Sequence, residues 1–353
     1  MSESSGLEQM VVVRPRFARS ISLVRDFHRF EALEGYILTS SGRDVLHRLA
    51  DALRDDSPTR AWSLTGPYGS GKSAFALFAA QLLGGAEAIR QRARASLASS
   101  DRDLHDLFFG SGGSLRKKAG RLCPVLVTGS RQPLDKALAA SLASALRRIA
   151  RTKPPQIVER LERLAGQPHP SGTAVVGLFE EANDYLERCG KGVSGILLIV
   201  DELGKFLEYG AGNPEQGDVF VLQELAESAT RSRRPFLFLT ILHQSIDDYV
   251  GHLSPPRRAE WAKVQGRFEA VTRAATPYGR EATLTLTTGC TRRGSRSSAT
   301  RAWRRSSRKR FRRSRSSPAG TISRRVLSAI LRLVMPIAAF TRRNRVPVIL
   351  WQT

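Results

Sequence analysis

The chain has 353 residues, 41% of them apolar, enough for one large domain or two ordinary ones with a buried core. Its formal charge of +24 is lopsided: residues 281–353 hold 18 Lys and Arg against one acid, so the basic character belongs to the last fifth of the chain. Three cysteines at wide, unpatterned spacing, Cys123, Cys189 and Cys290, argue against a disulfide framework and a zinc site, and the first residues lack a secretory apolar stretch, so a reducing, cytoplasmic setting is expected.

Residues 1–40 read as an N-terminal segment, with a short helix and turn over 20–37. Residues 41–54 have helical spacing, since Val45, Leu46, Leu49 and Leu53 fall on one face. A short strand over 61–65 then runs into Gly66-Pro67-Tyr68-Gly69-Ser70-Gly71-Lys72-Ser73, which fits the phosphate-binding pattern G-x-x-x-x-G-K-[ST]. Glycines let such a backbone curl and aim its N–H groups at phosphate oxygens, the lysine reaches the outer phosphates, and the Ser73 hydroxyl can ligate Mg²⁺. The apolar run 74–83 reads as a buried helix leaving the loop, its positive end toward the phosphates.

Residues 86–120 are polar and mixed, with a Ser-Gly-Gly-Ser loop signal at 111–114, and read as a surface insertion. A buried strand is expected over 122–128, and helices over 134–149, 157–164 and 174–188. The second strong element is Gly195-Ile-Leu-Leu-Ile-Val-Asp201-Glu202, an apolar strand ending in two carboxylates. That is where an open α/β sheet places its chemistry. Asp201 would hold Mg²⁺ through its water shell, and Glu202 would polarise the attacking water. A helix over 219–229 and a buried strand over 235–242 follow. That strand ends in His243-Gln244-Ser245, so Gln244 or His243 could sense the terminal phosphate. A helix over 258–264 leads to Gly266-Arg267-Phe268-Glu269.

These pieces define an α/β domain over 41–270, a three-layer P-loop fold with a mainly parallel sheet. In their order they resemble the additional-strand, catalytic-glutamate branch of the P-loop NTPases, in the AAA+ or initiator-like neighbourhood. They also resemble a group of large bacterial ATPases, some in phage-defence settings, with Gly-Pro-Tyr-Gly-Ser-Gly-Lys-Ser and Asp-Glu-x-Gly-Lys elements. The resemblance covers about residues 20–270. It implies ATP as the nucleotide, hydrolysis coupled to conformational change in a partner or assembly, and a nucleotide held between subunits of a homo-oligomer. It also implies an arginine supplied in trans, for which Arg267 is the matching position.

After residue 270 the text changes. Over 271–353, and most plainly over 291–317, arginine and serine dominate and acids almost vanish. Two readings stand: an arm that neutralises phosphates on DNA or RNA, or an out-of-frame translation that would leave the chain a nonfunctional remnant of an ATPase. Under either, the segment is expected to be disordered and solvated. The apolar stretch 326–340 is about 15 residues long and interrupted by Arg332 and Pro336, short of a membrane span. No membrane partner is expected.

Overall fold

The computed structural model describes residues 11–13, 20–53, 57–115, 120–150, 155–189, 191–213, 219–249, 255–272 and 290–292. Two compact units result, one of Ile21–Ala275 and one of Met1–Ser20 with Thr276–Thr353. In the latter, β1 (Val11–Val13) pairs antiparallel with β7 (Cys290–Arg292). The Arg/Ser-rich stretch and the apolar segment 326–340 lie outside the described residues.

In the larger unit the described elements run α1 (Leu23–Asp26), α2 (Ser40–Ala52), β2 (Ala61–Thr65), α3 (Lys72–Gly84), α4 (Glu87–Ser100), α5 (Arg102–Phe109) and β3 (Cys123–Thr128). They continue with α6 (Leu134–Ala150), α7 (Gln156–Gly166), α8 (Gly172–Arg188), β4 (Ile196–Asp201), α9 (Gly204–Gly212), α10 (Phe220–Arg231), β5 (Phe236–Leu242), α11 (Ile246–Tyr249), α12 (Pro255–Gln265) and β6 (Glu269–Thr272). The five strands β2 to β6 form one sheet in the order β3-β4-β5-β2-β6, and every pairing is parallel. A parallel sheet must be covered on both faces, which is why β4 and β5 are almost wholly apolar, Asp201 and Thr240 apart, with every residue buried.

Side chains alternate across the pleat and split the interior in two. Ile196, Leu198 and Val200 join α6, α7, α8, α9, α10 and α12 through Leu138, Leu161, Phe179, Phe206, Leu225 and Trp261. Leu197 and Ile199 join α1 to α5 through Leu23, Leu46, Phe75, Leu97 and Phe108. Removing one of these large side chains to Ala would cost about 2–5 kcal/mol.

The four strands expected from the sequence are present, and the structure adds two features. The first is β6, which pairs with β2 on the side away from β5. Its Glu269 accepts the Trp62 indole N–H at 3.0 Å and ion-pairs with Arg48 of α2. The second corrects the reading of 86–120 as a polar surface insertion. Most of it folds as α4 and α5, because Ile89, Ala93 and Leu97 repeat every four residues and bury one face, as do Leu104 and Phe108. Asp101 starts α5 by accepting the Leu104 N–H at 3.0 Å.

The N-terminal residues 21–38 also belong to this interior: Leu23, Phe27 and Leu38 are buried in it. The Gln81 side-chain amide of α3 donates to the carbonyls of Phe27 and Arg29 at 3.1 and 3.3 Å. Among the described residues, no helix is long and apolar enough to cross a membrane.

Candidate functional site

Because all strands of the sheet run the same way, their carboxyl ends share one edge. The turn after β2 (residues 66–71), the Asp201-Glu202 pair closing β4 and the His243-Gln244 pair after β5 all lie there. β5 stands between β2 and β4.

The loop from Gly66 to Ser73 turns through Gly69 and Gly71, each at φ 78°, a conformation that L side chains rarely adopt. Gly71 is the N-cap of α3, so Lys72 and Ser73 open that helix, whose first N–H groups and dipole favour an anion. Lys72 is buried. Its ammonium donates to the carbonyls of Gly66 and Pro67 at 2.6 and 2.8 Å and to Ser70 Oγ at 3.2 Å. The cation thus stands inside the curl that its own loop makes. Tyr68, at the crest, is 73% exposed.

Asp201 is buried, and Ser73 hydrogen-bonds its carboxyl. Burial pushes that carboxyl above the usual aspartate range; the Glu202 charge adds to the rise, while the Ser73 hydroxyl and the Lys72 charge oppose it. A hard divalent cation takes oxygen donors of this kind and would offset the burial penalty, so Ser73 and Asp201 fit a Mg²⁺. The Thr128 hydroxyl, at the end of β3 level with Asp201, is buried without a hydrogen-bond partner.

Glu202 has φ 54° and is the sole non-glycine residue with positive φ among the described residues. Its neighbours fix that conformation. Its N–H donates to Asp201 Oδ1 at 2.9 Å, and its carbonyl accepts the Lys205 N–H at 3.1 Å. Gly129 presses so closely that a Cβ there would collide with the Glu202 carbonyl. The Glu202 carboxylate accepts from Lys205 Nζ at 2.5 Å.

After β5 the chain presents His243 and Gln244 differently. His243 stacks on Tyr68. Burial holds the His243 imidazole below its usual range, and the charges of Lys72 and Lys205 push the same way against Glu202. Its Nδ1 is buried without a hydrogen-bond partner. Gln244 is exposed. The structure therefore brings His243 among the loop and carboxylate residues and turns Gln244 to solvent. Buried Tyr249 hydrogen-bonds the His243 main chain and packs against Gly204 at the start of α9, fixing this corner.

Arg267 is not with this group. It precedes β6, two residues before Glu269, which pairs with Trp62 near the start of β2. It therefore lies at the amino edge of the sheet, about 17 Å of strand from the edge that carries the glycine loop. There its guanidinium bonds Glu227 of α10 at 3.0 Å. It cannot serve its own loop from that place.

Sequence reading assigned no role to Gly129, Thr128, Lys205 and Tyr249; of these, Lys205 alone stood in a motif, as the lysine of Asp-Glu-x-Gly-Lys. Cys123 offers no nucleophile, since burial pushes its thiol up to about 12.

No protein-family model matches the chain, and no curated protein matches it.

Proposed function

We propose that this chain binds ATP with Mg²⁺ and hydrolyses it, on a three-layer P-loop fold of the additional-strand branch, and that turnover drives conformational change in an assembly. The observation that carries the reading is the strand order, with β5 between β2 and β4. It sets the glycine loop, the Asp201-Glu202 pair and a polar residue after β5 along one sheet edge.

In this reading the loop amides from Gly66 to Ser73 and Lys72 hold the phosphates. Ser73 and Asp201 hold the metal, which supplies charge to the transferring phosphoryl group. Glu202, aimed by its fixed backbone, takes the proton of the attacking water. His243 is the polar residue facing the terminal phosphate. Arg267 faces away from its own loop, which supports a role in trans within a homo-oligomer. The choice of ATP rests on the family resemblance.

Two variants test the assignment. Lys72→Ala should weaken nucleotide binding about a hundredfold or more, because a buried charge-assisted contact is lost. Glu202→Gln should keep nucleotide affinity and lose turnover by about a hundredfold to ten-thousandfold, the range of a general base. Equal titration curves for wild type and Lys72→Ala would remove the binding site. Full turnover by Glu202→Gln would remove the base.

A further inference from the structure

Lys205 has no part in the chemistry assigned above, yet it touches the residue on which that chemistry depends. Its Nζ lies 2.5 Å from Glu202 Oε2. Glu202 sits two residues before α9 and Lys205 in its first turn, and the fixed backbone of Glu202, whose carbonyl accepts the Lys205 N–H at 3.1 Å, keeps the two heads together. The bond also holds the Lys205 ammonium above the usual lysine range. A carboxylate whose lone pair is engaged by a cation is a poorer proton acceptor for water.

We infer that Lys205 is a latch on Glu202: the ion pair holds the water-activating carboxylate in reserve and restrains turnover. The inference rests on the reading of Glu202 as the base. Both side chains are partly exposed, Lys205 at 48% and Glu202 at 31%, so the pair is open to solvent and weak enough to release. A surface pair of this kind sets the scale of the effect at roughly two- to fivefold. It is also screened by salt.

The test is steady-state ATP hydrolysis by the full chain carrying Lys205→Met or Lys205→Arg, with Glu202→Gln measured beside them. Lys205→Met should raise kcat about two- to fivefold with KM within about twofold, and Lys205→Arg should retain the restraint. Raising the salt at saturating ATP should lift kcat of the wild type and leave Lys205→Met flat. A purely structural lysine would give neither the KM-against-kcat split nor the salt response. An unchanged or lowered kcat in Lys205→Met, with Glu202→Gln inactive, overturns the latch and leaves the base in place. Full turnover by Glu202→Gln overturns the base, and the latch with it.

Discussion

The ring of Tyr68 stacks on the imidazole of His243, with centroids 3.4 Å apart and planes 21° from parallel. One residue belongs to the loop after β2 and the other to the turn after β5, so the contact ties together two neighbouring strand ends. Tyr68 is otherwise exposed, which makes His243 its anchor and Tyr68 a cover over His243. The stack covers one face of the imidazole, whose proton affinity is lowered by burial.

The first prediction separates His243 from its neighbour. His243→Ala should lower kcat of ATP hydrolysis about tenfold to a hundredfold, the effect of removing one oriented hydrogen-bonding group from a reacting centre. Gln244→Ala should stay within about twofold, since that side chain faces solvent. Steady-state rates of both variants decide it. The reverse ranking would return the sensing role to Gln244.

A pH effect follows from the same residue. Burial holds His243 below its ordinary value of 6.5, and slight desolvation with the Arg148 charge lowers the largely exposed His28. In the unfolded chain both take up protons near that value, while the fold resists protonating them. Below about pH 6.5 the unfolded state therefore binds more protons, and stability falls as pH falls toward the folded-state values. Melting temperatures of wild type and His243→Gln, measured from about pH 7.5 to about pH 5, should converge at the acid end. A constant gap between them would show that His243 carries none of the linkage.

Much of this arrangement is legible in the chain itself, and the remainder is not for definite reasons. Strands β2 to β5 announce themselves because a strand buried on both faces must be an apolar run. β6 does not, since Glu269-Ala270-Val271-Thr272 is short and mixed, and it is a strand only because β2 offers it a ladder. α4 is hidden by its serines and arginines and α5 by its aspartates, Arg102 and His105, which mask an apolar period of four. Lys72 and Ser73 are named by the spacing of the glycine loop, and Asp201 and Glu202 by their place at the end of an apolar strand. The choice between His243 and Gln244 is different. Adjacent residues at a strand end face opposite ways, and only the packing of Tyr68 and Tyr249 decides which turns inward. Gly129 is silent for the same reason, as its role is defined by a carbonyl 73 residues further on.

Gly129 gives a third prediction. A methyl group there would meet the Glu202 carbonyl, so one backbone or the other must shift. Gly129→Ala should cost about 1–3 kcal/mol, the range for overpacking a tight contact, and lower Tm by several degrees. It should also lower kcat about tenfold or more by moving the Glu202 carboxylate, because a shift of about 1 Å can cost a hundredfold. Nucleotide affinity should change little, since the loop from Gly66 to Ser73 does not touch this contact. Calorimetry and hydrolysis rates on one preparation check both halves. A stable variant with normal kcat would mean that Glu202 is not held by its neighbours.

The last prediction concerns Asp201, where stability and function pull against each other. The buried carboxylate carries a desolvation penalty that only partners offset, and its proton affinity is raised accordingly. Its charge therefore costs stability at neutral pH. The cost shrinks as pH falls through the raised folded-state value toward the ordinary 3.8, opposite in sign to the histidines. Asp201→Asn removes the charge and keeps one carbonyl oxygen, which can still accept the Glu202 N–H, while an amide NH₂ replaces the other carboxylate oxygen. The ligand-free variant should melt a few degrees higher, the response of a domain this size to about 1 kcal/mol. It should also lose the stabilisation that Mg²⁺ with ATP is expected to give the wild type under the proposed function, as mass action requires when the metal site is gone. Thermal shifts with and without Mg²⁺ and nucleotide measure both effects. Retention of a Mg²⁺-dependent shift would exclude Asp201 as a metal-holding residue. A fall in Tm without ligand would mean that the carboxylate's partners already outweigh its burial.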